Sequence, residues 1–280
     1  MKSIDHYVLM VHDLERARQA YLKLGFNVRP AARHIEFGSS NAVVILADTY
    51  LELIDLGQAI PLLRDQYIDR FECGPGLAHV SLTAGSLADE RTRLEAFGYM
   101  PGPEGNARRR VILPDGSEDE TDSSFLYNWK TPHRFLSLFF SEHRKPDAIF
   151  IKGHTDHGNG VTRLAGITCL SDDPSRDIGY YEQSYGHAAE PLGGGFLMRG
   201  GRGDRMAVLD RGSVLDQFGG ALGDLDTGRL GGFPVALHYA VADRNETRAY
   251  LDAAGVPLVD CKAGLTVPAR AAEGCAIVFE

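Results

Sequence analysis

The sequence predicts an α+β fold in which four βαβββ modules pair into two curved mixed sheets. Three observations predict it. A β-like run, a capped helix and a closing glycine recur four times along the 280 residues, the mark of an internal repeat. The first two copies keep one internal distance, since His6 to Gly25 and His79 to Gly98 each span 19 positions. Each helix is then followed by short apolar runs separated by turns, which is the pattern of strands between polar breaks.

Ile4–Val11 opens the first module. Alternation puts His6, Val8 and Met10 on one face and Tyr7, Leu9 and Val11 on the other. Asp13 offers an N-cap, Leu14, Ala17, Tyr21 and Leu24 follow at helical spacing, and Gly25 ends the helix. Strands are expected at 26–28, 41–46 and 50–54. The second module starts at Leu77–Leu82, with Ser86 and Asp89 as a capping-box-like start. Leu87, Leu94 and Phe97 form its apolar stripe, Gly98 stops it, and strands are expected at 110–113, 124–127 and 135–140. A fainter third copy begins at Leu164–Leu170 and passes through Tyr180, Tyr181 and Tyr185 to Gly186. The fourth begins at Val235–Val241, uses Asp243 and Glu246 as a capping box, and ends its helix at Gly255, with strands at 265–267 and 275–279. The equivalent strand positions 6, 79, 166 and 238 are 73, 87 and 72 residues apart.

One such module leaves an apolar sheet face uncovered, so modules are expected to pair. The chain accordingly divides into a first half, residues 1–151, and a second half, residues 161–280, joined by a polar, Gly-rich stretch at 152–160. A hydrophobic content of 44% with 24% charged residues excludes a disordered chain. A net charge of −9 argues against nucleic acid as a partner, because phosphate binding needs basic surface. The longest aliphatic run, Ala42–Ala47, is far short of the roughly 18 residues of a membrane span. Asp5 and Asp13 flank the first apolar stretch, unlike a signal peptide. The expectation is a cytoplasmic protein that meets a small-molecule substrate, neither nucleic acid nor membrane; association as a homodimer is left open. Four scattered cysteines, Cys73, Cys169, Cys261 and Cys275, indicate neither a zinc ribbon nor a disulfide scaffold.

Three ionisable residues interrupt otherwise apolar strands at matching places in the repeat: His6, His79 and Glu52. A carboxylate set mid-sheet without a partner is unfavourable or is forced neutral. Two imidazoles and a carboxylate meeting across paired sheets resolve this by holding a divalent metal, with coordination positions left for substrate, water or dioxygen. A lone strand histidine is more often a hydrogen-bonded core residue than a ligand. Recurrence at equivalent positions shifts the weight toward ligands. The donor set suits Fe, Mn, Zn or Ni and does not choose among them.

Further motifs carry a family resemblance: Ile4–Leu9, Gly25–Phe26, Arg33–His34 with Gly38 and Asn41, Tyr50–Ile54, Trp129–Pro132, Phe139–His143 followed by Pro146, and His157–Gly160. With them the chain resembles the vicinal oxygen chelate superfamily, which includes glyoxalase I, extradiol dioxygenases and fosfomycin- and bleomycin-resistance proteins. Within it the chain is similar to the glyoxalase-like domain group, most strongly over residues 1–165. The resemblance implies metal ligands on the first and last strands of two paired modules, and His6, Glu52 and His79 match three of the four positions. The fourth falls at Ser137, a departure that weighs against isomerase chemistry, which uses a second carboxylate there. Three ligands match the donor set of extradiol dioxygenases, whose iron lies in the second half of the chain.

The implied function is a divalent-metal-dependent enzyme acting on a small oxygen-bearing molecule by oxygen chelation, as an isomerase, lyase or dioxygenase. The alternative is a metal-free protein that sequesters a small molecule. Glu52 is expected to act in catalysis as well as ligation, and His143 or Glu142 to supply a general base or fourth ligand. His34, Asn41 and Trp129 are the expected substrate contacts. The second half reads as degenerate: His238 and Glu280 stand at ligand positions, but Gly166 replaces the other histidine. Arg108–Arg110 reads most simply as a solvated hairpin, against a clamp for an anionic substrate. His154, Asp156 and His157 have metal-like composition but sit in the connector. The glycines at 193–195 and 200–203 lack a Walker lysine or a dinucleotide fingerprint.

Overall fold

The computed structural model describes residues 1–99, 101–113, 115–128, 135–223 and 233–280. Module one runs β1 (Ile4–Val11), α1 (Leu14–Lys23), β2 (Ala32–Arg33), β3 (Ser40–Ile45) and β4 (Tyr50–Asp55), followed by α2 (Pro61–Cys73). Module two runs β5 (Gly76–Thr83), α3 (Leu87–Ala96), β6 (Pro101–Ile112), β7 (Glu118–Asn128) and β8 (Ser137–His143). Module three runs β9 (Val161–Leu170), α4 (Pro174–Tyr185), β10 (Glu190–Leu192), β11 (Gly195–Arg199) and β12 (Arg205–Leu209), followed by α5 (Arg211–Phe218). Module four runs β13 (Phe233–Val241), α6 (Arg244–Ala253), β14 (Val259–Cys261), β15 (Gly264–Val267) and β16 (Ala276–Phe279).

The local signals work as their chemistry dictates. Asp13 accepts from the Arg16 amide at 2.9 Å, Ser86 from the Asp89 amide at 3.3 Å and Asp243 from the Glu246 amide at 3.2 Å, so each helix starts on a satisfied cap. α4 closes at Gly186 with φ 79°, a left-handed conformation that a side chain would strain.

The strands form two eight-stranded mixed sheets, β2-β3-β4-β1-β5-β8-β7-β6 and β10-β11-β12-β9-β13-β16-β15-β14. In each, two modules join where their first strands pair antiparallel, β1 with β5 and β9 with β13. The first sheet curls until its edges meet: the Ile35 amide donates to the Arg108 carbonyl at 3.1 Å, and His34 bridges Arg109. Its concave side is a cup. No helix of the described residues is long and apolar enough to cross a membrane.

β1 is buried at every position because it is used on both faces. Tyr7, Leu9 and Val11 enter the largest core, which also takes Leu164, Ile167, Leu237 and Tyr239 from the second half. The Tyr7 and Tyr239 hydroxyls hydrogen-bond at 2.8 Å across it. Val8 and Met10 join Ile54, Leu63, Tyr67, Tyr127 and Phe139 at the floor of the cup. The connector is tied down as well: His157 accepts from the Asn27 amide and pairs with the Ile45 carbonyl, each at 3.0 Å, and Asn159 donates to Leu24 at 2.9 Å. Both ring nitrogens of His157 are thus committed to holding the first half, and His154 Nδ1 meets Arg29 at 3.3 Å.

Two helices and the length of two strands differ from expectation. α2 and α5 were not foreseen; in α2, Leu63 and Tyr67 are buried while Leu62, Ile68 and Phe71 are exposed, so its sequence shows no clean stripe. β6 and β7 extend well beyond 110–113 and 124–127, paired in a long antiparallel ladder whose charged outer face carries no apolar run to mark its length in the sequence.

Candidate active site in the first cup

The pairing register builds the site. His6 pairs with Ser81 and Val8 with His79 across β1 and β5, while Val8 also pairs with Glu52 across β1 and β4. His6, Glu52 and His79 therefore share one face of three adjacent strands: His6 is diagonal to each of the other two, while Glu52 and His79 flank Val8 at two strand spacings, roughly 9–10 Å. Such diagonals are roughly 7–8 Å apart, within reach of long side chains. The cup that His6 and Glu52 line encloses a cavity of about 90 Å³; His34, Asn41, Tyr50 and Arg109 also line it, with an aromatic wall of Phe37, Phe125, Tyr127 and Phe139.

A bulge in β1 adds a residue the sequence reading did not use. Ile4 pairs with Leu82 and His6 with Ser81, leaving Asp5 as the extra residue that breaks alternation. Its carboxylate meets His6 Nδ1 at 2.7 Å and His143 Nε2 at 2.8 Å. Burial alone would raise the Asp5 pKa; the hydrogen bonds from His143 and His6, with their charges, hold it well below the usual carboxylate range. An ionised carboxylate only accepts, so His6 donates from Nδ1 and keeps Nε2 without a partner among the described residues. His6 stacks on Tyr50, with ring centroids 4.4 Å apart.

Glu52 is buried and fixed through one oxygen. Asn41 Nδ2 donates to its Oε1 at 2.8 Å, and His34 Nε2 stands 3.5 Å from the same atom. His34 is itself held by Ser39 Oγ at 2.8 Å, and burial pushes its pKa down against the pull of Glu52. His79 lies deeper. Its Nδ1 contacts Ser137 Oγ at 2.5 Å, so the residue at the departed fourth position serves the histidine instead. Its Nε2 is buried with no hydrogen-bond partner among the described residues, and burial, with His6 adding to it, pushes the imidazole down to about 3. Tyr67 stands edge-on to it at 4.3 Å, and Phe139 packs against both His79 and His6, at 6.2 and 5.1 Å between centroids.

His6, Glu52, His34 and Asn41 thus stand at the cup, with His79 beside its floor. His143 does not line it: with Nε2 on Asp5 and Nδ1 on Ser123 Oγ at 2.7 Å, it stands behind Asp5. Glu142 accepts from the Leu87 amide at 3.3 Å, at the start of α3. Trp129 lies outside the described residues. Among the described residues, the one group of three donor atoms lying within 4.8 Å of one another is Asp5, His6 and His143. Asp5 left no signal in the sequence, since a bulge cannot be seen in a strand pattern. Arg108–Arg110, expected as a solvated hairpin, holds to that at Arg108 and Arg110 but not at Arg109, because strict alternation turns the middle of three arginines away from its neighbours.

In the second cup His238 pairs with Gly166, but the chemistry is used up internally. His238 bonds Glu280 at 2.7 Å and Thr168 at 2.8 Å, and Arg205 closes an ion pair with Glu280. A Cβ at Gly166 would meet Arg205 Cγ at 2.5 Å, so the arginine fills the space where His6 stands in the first cup.

Paired βαβββ modules curled into a cup place the chain in the vicinal oxygen chelate superfamily. The sequence model of the glyoxalase-like domain matches residues 4–183, and the chain belongs to that family. Among solved structures, a hypothetical protein from Staphylococcus aureus superimposes with TM-score 0.65 at 11% identity, covering 100% of this chain and 99% of that one. A xylose isomerase-like TIM barrel/4-hydroxyphenylpyruvate dioxygenase fusion protein gives 0.56 at 17%, covering 92% of this chain and 39% of its own length. A triple mutant of 4-hydroxymandelate synthase from Streptomyces coelicolor gives 0.56 at 15%, covering 92% and 76%. At these identities the likeness is one of fold. No curated protein matches the sequence.

Proposed function

We propose that the first cup is an active site in which His6, Glu52 and His79 hold a divalent metal ion that works on a small oxygen-bearing organic molecule. His79 Nε2 carries the reading. It is a buried nitrogen without a hydrogen-bond partner among the described residues, on an imidazole that burial pushes down to about 3, so its lone pair is available at any physiological pH. Leaving such an atom unsatisfied costs about 1–3 kcal/mol, which ligation would offset. The other donors agree in chemistry: His6 has Nδ1 on a carboxylate, the arrangement that orients metal-binding histidines, and Glu52 has one oxygen engaged and one free.

When bound, a divalent ion would supply Lewis acidity toward neighbouring substrate oxygens. The chain's own residues do the rest. Asp5, backed by His143, fixes the His6 ring; Asn41 fixes the Glu52 carboxylate, whose free oxygen can accept a proton from the substrate; Phe37, Phe125, Tyr127 and Phe139 exclude water from the cup. A second reading rests on a specific observation: the three donor atoms do not form a group within 4.8 Å, and Phe139 packs against both imidazoles. That arrangement favours a cup that holds its ligand without metal. Calorimetric titration of EDTA-stripped protein with Mn²⁺, Fe²⁺, Zn²⁺ and Ni²⁺ decides between them. Saturable binding of one ion per chain is expected; absence of binding by all four overturns the metal reading in favour of sequestration.

A further inference from the structure

Three consecutive arginines on β6 meet three environments. Arg108 is exposed and pairs with Glu36 at 2.6 Å and Glu120 at 3.7 Å, and Arg110 is exposed. Arg109 turns inward, is 9% exposed and lines the first cup. Its backbone is held by Thr121, whose Oγ1 takes the Arg109 amide at 3.1 Å, and by the bridge to His34. Its guanidinium forms no hydrogen bond or ion pair with any described residue. The Glu52 carboxylate of the same cup is held by Asn41 through one oxygen and acts on the guanidinium through space, without an ion-pair contact. A guanidinium stays charged, and burying it unpaired is unfavourable unless an anion arrives to match it.

We propose that Arg109 anchors the anionic group of the cup's ligand, and that this ligand is a small aromatic or otherwise flat organic carboxylate. The class follows from charge and shape. One guanidinium offers one positive charge in a planar fork suited to a carboxylate, and Glu52 across the cup disfavours a dianion such as a phosphate. Phe37, Phe125, Tyr127 and Tyr50 supply flat apolar contact for the body of the molecule. The assignment rests on reading the cup as the ligand site, and on no metal.

The test is binding of benzoate and of its neutral counterpart benzamide to EDTA-treated protein, so that failure of the metal reading leaves the result intact. Wild type should bind benzoate at least about tenfold more tightly than benzamide. Arg109→Met should erase that preference while melting at or above the wild-type temperature, since it removes an unpaired buried charge. Arg109→Lys, which keeps the charge without the fork, should retain part of the preference and serves if Arg109→Met does not fold. Equal affinities for the two probes, no benzoate binding at millimolar concentration, or an undiminished preference in Arg109→Met would each overturn the proposal.

Discussion

The two cups of this chain share a topology and differ in what their polar groups are left to do. In the second, His238 has a partner on each nitrogen, Glu280 is shared between His238 and Arg205, and Gly166 leaves room for the arginine that neutralises the set. In the first, His79 Nε2 is buried without a hydrogen-bond partner among the described residues, and His6 Nε2, the second oxygen of Glu52 and the Arg109 guanidinium make no hydrogen bond or ion pair with any of them. Polar valences closed internally on one sheet and left open on the other are the contrast on which the proposed ligand chemistry of the first cup rests.

Substitutions at equivalent positions break this comparison most sharply. His79→Ala and Glu52→Gln should each weaken metal binding by more than the roughly 10- to 100-fold seen when only supporting residues are lost. His238→Ala, at the position equivalent to His79, should leave it unchanged by the same titration. Acid stability separates the two next. The folded His79 pKa lies near 3, below its ordinary 6.5, so between those values the unfolded chain binds a proton that the native one does not. Stability of metal-stripped protein should therefore fall as pH drops through this window, by about 1.4 kcal/mol per unit for one proton. His79→Gln should flatten that slope in urea titrations. His238→Gln should flatten it less, because Glu280 draws the His238 pKa back toward its ordinary value against burial. The smallest effect is steric: Gly166→Ala, forcing a Cβ onto Arg205, should lower stability by about 1–3 kcal/mol in the same assay without touching metal binding in the first cup.

Much of the fold was legible. Ile4–Val11 was read at its observed limits, and the caps at Asp13, Ser86 and Asp243 all form, because alternation and capping are local chemistry. The long charged strands β6 and β7 were read short, since half of each faces solvent and shows no apolar run. At the site, the repeat pointed to His6, Glu52 and His79, whose side chains depend on period and register. Asp5 escaped because its role depends on a one-residue bulge, and the contact of His143 with Asp5 is long-range packing that no local pattern carries. Alternation separates Arg109 from Arg108 and Arg110, but the curl that brings β6 onto His34, and with it Arg109 into the cup, is a property of the whole sheet.

The central claim is that two imidazoles and one carboxylate on three neighbouring strands share an ion. Crystals grown with Mn²⁺ and measured at its absorption edge test it most directly. The account predicts one anomalous peak in the first cup, bounded by His6 Nε2, His79 Nε2 and Glu52, and none at His238. A peak seated instead between Asp5 and His143, or an empty first cup at saturating Mn²⁺, would contradict it.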